Sequence, residues 1–298
     1  YGPGETALVQ LVQMKAEGRH DLSGVPSLIY RAEGGIARTE RADPSLSDAA
    51  LPCYQPDVYV DWQDKLHNVH VESDRGCNFR CKFCIHPYKS GRRQNKTVEQ
   101  FVAELAQLNE QYGFSYFHLG GSDPSFRHMV DVSKEVIARS LDFGFMGFQS
   151  LRVLDEEGIG WLARANFDRV WVGIESGDEK ITLDLAKGRR KARLWENAES
   201  VRRHGIAITG SVITPCPGEN NASVDANVAT LLAVKPDVTL LYPPLVQPKS
   251  PWFDGAEDAI KLDMPARVED LYVEHGSEWH PGNRVLPPPF YCEELGDS

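Results

Sequence analysis

Six strand-like segments alternate with helical segments between residues 66 and 245. The fourth, Arg169 to Glu175, is an almost continuous apolar run, which is typical of a strand covered on both faces. Strands that alternate with helices in this way pair in parallel. Six units are too few for the closed eight-stranded barrel. The sequence therefore predicts an α/β fold, a partial (β/α)6 barrel of the TIM type that is open on one side.

Three cysteines lie directly after the first strand of this series. Cys77, Cys81 and Cys84 have the spacing C-x-x-x-C-x-x-C and follow a break at Gly76. An odd number of cysteines cannot pair fully among themselves, but three thiolates can bind one soft metal centre. Ligands of parallel α/β barrels sit at the carboxyl ends of the strands. The sequence therefore predicts a metal site at that edge.

Three thiolates are one fewer than a structural zinc or a cubane cluster usually takes from protein. A structural zinc site would need a fourth ligand, which His86 could supply. An electron-transfer cluster would need a fourth cysteine, Cys53 or Cys216. A [4Fe–4S] cluster with one open iron would instead bind a substrate-like ligand. The residues by themselves leave these three interpretations open.

Composition limits the classes of partner. The net charge is −11, and an acidic chain lacks the basic surface that nucleic-acid binding normally needs. No apolar run approaches the roughly 20 residues that cross a bilayer. Half of the six cysteines lie in one cluster, which indicates a reducing, cytoplasmic environment and no disulfide framework.

The segment CNFRCKFC resembles the C-x-x-x-C-x-Φ-C signature of the radical S-adenosylmethionine (SAM) superfamily, with Phe83 in the aromatic position. The resemblance covers roughly residues 66 to 245 and includes the order of the strands. It implies the radical SAM type of partial barrel and a [4Fe–4S] cluster held by the three cysteines. It also implies that the amino and carboxylate groups of SAM chelate the open iron. Cleavage then gives methionine and a 5′-deoxyadenosyl radical, while the protein positions the cofactor and excludes water.

The resemblance also implies SAM contacts at the ends of later strands. The segment from Gly120 to Pro124 resembles the family's GGEP segment, whose backbone contacts the SAM amino group; Ser122 stands where glutamate is frequent. Gly173 to Gly177 resembles the family's GIESG segment, with Glu175 accepting ribose hydroxyls. A structural salt bridge is the alternative for Glu175. The SAM contacts implied in this way are Phe83, Gly120, Gly121, Ser122, Gln149, Ser150, Arg152, Glu175 and Ile213.

Four residues are candidates for the substrate pocket. His86 and Tyr88 follow the cysteines, and either could line the pocket or shield the cluster. Cys216 follows the fifth strand, and Tyr242 ends the sixth. For Cys216 the alternative is a buried thiol without a chemical role. No residue is singled out as the catalytic acid or base.

The longer segment ESDRGCNFRCKFC is similar to the version found in cobalamin-dependent radical SAM enzymes. GPGETALVQLVQ resembles the segment that closes their cobalamin-binding domain. This implies that residues 1–60 are a linker and the end of an N-terminal cobalamin-binding domain that precedes them, 61–245 the core barrel and 246–298 a C-terminal extension. No D-x-H-x-x-G cobalamin motif occurs in the sequence.

The resemblance therefore implies a cobalamin-dependent methyltransferase of natural-product biosynthesis. Its substrate would be a small molecule or a peptide, and its electron donor a flavodoxin or ferredoxin. A cobalamin-independent radical SAM mutase, dehydrogenase or cyclase is the alternative among enzymes, and a metal-binding module without catalysis is the alternative from another class. A methylthiotransferase of transfer RNA is disfavoured by the acidic charge.

Overall fold

The computed structural model describes residues 2–54, 69–121, 124–187, 191–243, 250–254, 261–262 and 290–291. The helices are α1 (Glu5–Ala16), α2 (His86–Ser90), α3 (Val98–Tyr112), α4 (Phe126–Ala138), α5 (Glu156–Arg164), α6 (Glu179–Asp184), α7 (Lys191–Arg203), α8 (Asn221–Val234) and α9 (Pro251–Asp254). The strands are β1 (Ile29–Ala32), β2 (Gly35–Arg38), β3 (Val69–Glu72), β4 (Asp74–Arg75), β5 (Gln94–Asn95), β6 (Tyr116–Gly120), β7 (Gly144–Phe148), β8 (Phe167–Glu175), β9 (Ala207–Ile213), β10 (Val238–Tyr242), β11 (Lys261–Leu262) and β12 (Phe290–Tyr291).

Six strands form one sheet in the order β10-β9-β8-β7-β6-β3. The pairs β3–β6, β6–β7 and β7–β8 are parallel, with Glu72 opposite Gly120 and Phe148 opposite Trp171. Helices connect the strands along the chain. This arrangement confirms the predicted α/β class and the predicted order of the strands. Because the strands are parallel, their carboxyl ends meet at one edge.

The chain divides into two compact units. The first comprises Tyr1–Arg80, Ile85–Val172 and Ala192–Thr209; the second comprises Cys81–Cys84, Gly173–Lys191 and Gly210–Ser298. In the first unit, β6 and β7 point alternate residues into the core, where Phe117 and Phe145 are fully buried and stack on each other. The predicted domain boundaries near residues 60 and 245 stay predictions, and most of 246–298 lies outside the described residues.

Local sequence explains where α3 begins and ends. The sequence predicts a capping box from Thr97 and Gln100 at the start of this helix. The Thr97 side chain accepts a hydrogen bond from the backbone N–H of Gln100 at 3.1 Å, which caps the helix. The other half of the predicted capping box does not form, because the Gln100 side chain donates to the carbonyl of Ser47 instead. Gly113 ends the helix in the left-handed conformation, with φ +76°. The side chains that the helix buries are Phe101, Val102, Leu105 and Leu108.

The sequence predicts the buried face of α1 only in part. It predicts an apolar face of Ala7, Leu8, Leu11 and Val12, of which Leu8 and Val12 are exposed. Ala7 is buried together with Met14 and packs with Val25, which lies in the segment that follows the helix, and Leu11 packs against the same cluster. The helix therefore packs on a segment that comes after it in sequence.

The sequence also predicts one helix between the fourth and fifth strands, where the structure has two. Helix α6 ends in a Schellman motif, since Lys187 N–H bonds to Thr182 and Ala186 N–H to Leu183. Ala186 takes the left-handed conformation, with φ +56°. Glycine usually occupies that position, so an alanine there gives no sequence signal that the helix ends. The sequence also predicts a helix start at Ser122 to Pro124, of which Ser122 and Asp123 lie outside the described residues; α4 begins at Phe126, after Ser125 as its N-cap.

Among the described residues, no helix combines the length and the apolar character needed to cross a membrane.

Candidate functional site

The loop that carries Cys77 is fixed by backbone contacts within the first unit. Gly76 has φ +85°, and a Cβ atom there would lie 2.4 Å from the carbonyl oxygen of Arg92, so only glycine fits. Cys77 N–H donates to the carbonyl of Gly91 at 3.2 Å. The Cys77 sulfur in turn accepts from the N–H of Phe79 at 3.4 Å. These contacts hold the first cysteine of the motif directly after the strand.

Cys81 and Cys84 lie in a tight turn of the second unit, where Cys84 N–H donates to the Cys81 carbonyl at 3.1 Å. Lys82, which lies between them, makes two backbone hydrogen bonds. Its N–H donates to Leu185 at 3.1 Å, and its carbonyl accepts from Trp252 at 3.0 Å. Burial raises the pKa of the Cys81 thiol, and the charge of Lys187 opposes that rise.

None of the three motif cysteines takes part in a disulfide bond, as the donor chemistry of an iron–sulfur cluster requires. In the part of the chain that the structure describes, no three His, Cys, Asp or Glu side chains are already grouped as metal ligands. The role of the cysteines as cluster ligands therefore stays a prediction from their spacing. Ligation would also offset the burial of Cys81, since metal-bound thiols are held as thiolates.

Two glycines end β6, and each is required by a close neighbour in the first unit. A Cβ on Gly120 would lie 1.9 Å from Nε2 of His70. Gly121 has φ +141°, and a Cβ there would lie 2.5 Å from both carboxylate oxygens of Asp74. His70 and Asp74 therefore occupy the space that side chains at these two positions would need, so both positions require glycine. Ser122, the next predicted contact, lies outside the described residues.

Asp74 is a buried carboxylate that the sequence analysis did not single out. Ser73 Oγ donates to its Oδ2 at 3.0 Å. Its Oδ1 has no hydrogen-bond partner among the described residues. Burial raises the pKa of Asp74 to about 7, against the lowering effects of the Ser73 hydrogen bond and the Arg93 charge. Its burial depends on tertiary packing, which the local sequence does not reveal.

The predicted contacts Gln149, Ser150 and Arg152 follow β7 in the first unit. Gln149 N–H donates to the carbonyl of Trp171 at 2.9 Å, which extends the sheet pairing by one residue. Its side-chain Oε1 is buried and lacks a hydrogen-bond partner among the described residues. Ser150 and Arg152 are half-buried. Gln149 thus offers an acceptor that a ligand could satisfy.

One face of the sheet in the first unit carries a cluster of aromatic and imidazole rings that the sequence analysis missed. His70 and His118 lie edge to face at 5.2 Å between ring centroids, and His118 contacts Trp171 at 5.3 Å. Phe148 packs edge to face on Trp171 at 5.1 Å. Burial, together with the nearby His70, lowers the pKa of His118. The signal was the alternation along β3 and β6, which places His70 and His118 opposite each other.

In the second unit, Glu175 forms the salt bridge that the sequence left as its alternative role. The residue is buried, with φ +66°, and its Oε1 lies 2.9 Å from Nζ of Lys187. Lys187 also lies over the ring of Phe83, at 5.8 Å from its centroid. Phe83 and Ile213, two predicted SAM contacts, belong to one hydrophobic cluster with Trp252. A ribose contact by Glu175 stays a prediction.

A hydrogen-bond network ties the loop after β8 to the loop after β9, both in the second unit. Asn227 of α8 accepts from Ser176 Oγ at 3.1 Å and from Gly177 N–H at 2.5 Å. Its amide donates to Glu219 at 2.6 Å. Glu219 is fully buried, and its other oxygen accepts from Thr214 Oγ1 and Cys216 N–H. Because a polar residue in the middle of a helix carries no local signal, the sequence analysis missed Asn227.

The substrate candidates have different surroundings. In the first unit, His86 is exposed, and partial desolvation of its ring, followed by the Lys89 charge, lowers its pKa. Tyr88 is exposed, and Arg41 donates to its carbonyl. In the second unit, Cys216 is fully buried in the cluster around Trp252, as its alternative role would require, and Tyr242 is exposed.

Comparison with known proteins gives similarity over most of the chain. A curated relative, an uncharacterized methyltransferase of Pyrococcus horikoshii, is 26% identical over 238 residues, which are 76% of this chain and 50% of the relative. An anaerobic magnesium-protoporphyrin IX monomethyl ester cyclase of Synechocystis is 22% identical over 72% of this chain and 44% of its own length. The chain thus spans about half the length of these relatives.

Two solved structures share the fold. The radical S-adenosylmethionine methyltransferase TsrM of Kitasatospora setae, solved with cobalamin and a [4Fe–4S] cluster, matches with a TM-score of 0.70 and 22% identity, over 84% of this chain and 53% of TsrM. The cobalamin-dependent radical enzyme OxsB, solved with SAM bound, matches with a TM-score of 0.66 and 17% identity, over 84% of this chain and 37% of OxsB. These likenesses confirm the predicted fold class.

The sequence also matches the Radical SAM superfamily over residues 71–231. That range begins in β3, includes the three cysteines and both glycines of the β6 edge, and ends in α8. It covers more than half of the 298 residues. The chain therefore belongs to the Radical SAM superfamily.

Proposed function

We propose that this chain is the catalytic core of an enzyme that binds a [4Fe–4S] cluster through Cys77, Cys81 and Cys84 and cleaves SAM. The observation that carries the proposal is the family match over residues 71–231, which contains the three cysteines of the motif after β3, none of them in a disulfide bond. When bound, the reduced cluster supplies one electron to the sulfonium of SAM. The residues of the chain position the cofactor and keep water away.

Several features of the described residues fit SAM. Gly120 and Gly121 carry no side chain of their own at the end of β6, and the buried Oε1 of Gln149 is an acceptor without a partner among the described residues. Phe83 and Ile213 supply apolar surface. Glu175, held by Lys187, presents a carboxylate of fixed orientation. We therefore assign SAM to Phe83, Gly120, Gly121, Ser122, Gln149, Ser150, Arg152, Glu175 and Ile213.

The network through Asn227 and Glu219 has a positioning role in this proposal. It joins the loops that directly follow Glu175 and Ile213, the last residues of β8 and β9. A binding site gains affinity when its groups are held in place before the ligand arrives.

We further propose that the reaction is a cobalamin-dependent methyl transfer in natural-product biosynthesis. TsrM is a radical SAM methyltransferase solved with cobalamin, and OxsB is a cobalamin-dependent radical enzyme. Both cover 84% of this chain, and the ESDRGC segment before the cysteines supports the same branch. The substrate would be a small molecule or peptide that reaches His86, Tyr88 or Tyr242; the burial of Cys216 favours its alternative role as a thiol without a chemical function. A flavodoxin or ferredoxin in the cytoplasm would supply the electron.

Anaerobic reconstitution with iron and sulfide, followed by reduction and addition of SAM, tests the first proposal. We expect methionine and 5′-deoxyadenosine as products, measured by chromatography, and no cleavage by a Cys81→Ala variant. Bound zinc without SAM cleavage would instead support a metal-binding module without catalysis.

Corrinoid binding separates the cobalamin-dependent enzyme from its closest alternative. The natural full-length protein is expected to bind hydroxocobalamin, measured by its visible absorption after gel filtration. If that protein cleaves SAM but binds no corrinoid, a cobalamin-independent mutase, dehydrogenase or cyclase is the better assignment.

A further inference from the structure

One buried group in the first unit lacks the partners that buried charges normally have. The Asp74 side chain has 0% exposure. Its Oδ2 accepts from Ser73, while its Oδ1 has no hydrogen-bond partner among the described residues. Buried polar atoms are nearly always hydrogen-bonded, and buried charges are nearly always paired. A buried carboxylate oxygen without a hydrogen-bond partner therefore destabilises the fold, and a bound ligand could supply the missing partner.

The carboxylate lies directly against the backbone of Gly121. A Cβ on Gly121 would lie 2.5 Å from each of the two Asp74 oxygens, so no side chain fits between them. The φ of +141° at Gly121 also favours glycine. The negative group and the glycine segment thus form one local arrangement, inside a single compact unit.

Two charged side chains act on Asp74 among the described residues. Arg93 lowers its pKa and Glu72 raises it, and burial outweighs both together with the Ser73 hydrogen bond. Existing positive charge is therefore too little to compensate the carboxylate. A cation brought close to Gly121 would interact strongly, because attraction between charges increases as the local dielectric falls.

SAM carries a positive sulfonium and an amino group at its methionine end. We propose that Asp74 is a positioning residue for SAM, whose buried negative charge attracts that amino end to the Gly120–Gly121 segment. This inference rests on the proposed function, which assigns the segment to SAM. It adds a specific electrostatic source of affinity beside the backbone contacts.

The decisive variant is Asp74→Asn, which keeps the shape of the side chain and removes its charge. The matched control is Asp142→Asn, which removes the same charge from an exposed position of the same unit. SAM affinity of the anaerobically reconstituted chain is measured by isothermal titration calorimetry. We expect about a tenfold or greater loss in Asp74→Asn, the usual scale of a charge-assisted contact, and little change in the control.

Thermal unfolding shows whether the loss reflects damage to the fold. Asparagine removes the cost of burying a charged carboxylate. The midpoint temperature of unfolding of Asp74→Asn is therefore expected to equal or exceed that of the wild type at about pH 8. A purely structural role for Asp74 would lower both the midpoint and the affinity. Unchanged stability with weaker SAM binding supports the inference.

The pH dependence of affinity gives a second readout. A nearby cation favours the ionised carboxylate, so the wild-type advantage over Asp74→Asn is expected to grow between about pH 6 and pH 8. The sulfonium of SAM keeps its positive charge across this range, so the cation that Asp74 attracts is present at every pH compared. A constant ratio across this range would contradict the proposal.

Iron content separates failure of this inference from failure of the proposed function. If all three proteins bind the cluster and SAM, and Asp74→Asn matches Asp142→Asn, only the role of Asp74 is wrong. If the wild type binds neither cluster nor SAM, the proposed function fails and this inference fails with it.

Discussion

Buried carboxylates differ between the two compact units in their hydrogen-bond and charge partners. In the second unit, Glu219 accepts hydrogen bonds from Thr214, Cys216 and Asn227, and Glu175 pairs with Lys187. In the first, Asp74 has Ser73 on one oxygen and no described partner on the other. A fully satisfied carboxylate stabilises a fold, whereas an unsatisfied one costs stability until something binds. The difference indicates a structural role for Glu219 and agrees with our proposal that Asp74 acts on a ligand.

The largest expected effect is at Glu219. Glu219→Ala leaves the Thr214 hydroxyl, the Cys216 N–H and the Asn227 amide without their acceptor inside the core. We expect a loss of about 3–5 kcal/mol in the free energy of unfolding, as for other broken buried networks. Urea denaturation measures it, with the exposed Glu196→Ala as control. A loss no larger than that of the control would contradict the structural role of this network.

The next effect is at Lys187, whose removal leaves Glu175 buried without its cation. Lys187→Met is expected to lower the free energy of unfolding by about 2–3 kcal/mol, less than for a fully buried pair because Lys187 is partly exposed. The exposed Lys180→Met is the matched control. If Glu175→Gln in the Lys187→Met background restores none of the lost stability, the pair is not the cause of the loss.

Asp74→Asn is expected to change stability in the opposite direction. Because the folded pKa of Asp74 is about 7, above its ordinary value, the folded state keeps a proton that the unfolded chain has lost. Wild-type stability should therefore fall as pH rises from about 4 to 7. Asp74→Asn has no carboxyl group to titrate, so its stability should not fall in this way. We therefore expect it to be more stable than the wild type by about 1–2 kcal/mol at neutral pH. Thermal unfolding at a series of pH values measures the difference.

The smallest effect is at Ser73, which donates one hydrogen bond to Asp74. Ser73→Ala is expected to destabilise by about 0.5–1.5 kcal/mol. Since the hydrogen bond favours the ionised carboxylate, the loss should be larger above about pH 7 than below it. If the loss of stability is the same at every pH, Ser73 acts by packing alone. The control is Ser47→Ala, at an exposed position.

Much of the fold could be predicted because its signals are local. Thr97 caps α3 and Gly113 ends it, and the alternation of Val69 and Val71 marks β3. The end of α6 could not be seen, because Ala186 adopts a conformation that usually requires glycine. The buried face of α1 depends on Val25, a contact partner that periodicity does not reveal.

The residues of the candidate site also fall into those with a local sequence signal and those without one. The cysteine spacing and the glycine pairs are visible in the sequence because each needs a particular residue type. Asp74, Asn227 and Lys187 depend on neighbours that are distant in sequence, such as Gly121 for Asp74 and Ser176 for Asn227. Their environments arise only when the strands and loops assemble.

Iron content after anaerobic reconstitution tests the central claim most directly. The wild type is compared with a variant in which Cys77, Cys81 and Cys84 are all alanine, and with Cys53→Ala, which removes an exposed thiol outside the motif. We expect about four irons and four sulfides per chain in the wild type and in Cys53→Ala, and close to none in the triple variant. Equal iron in all three proteins, or zinc in place of iron in the wild type, would contradict the account.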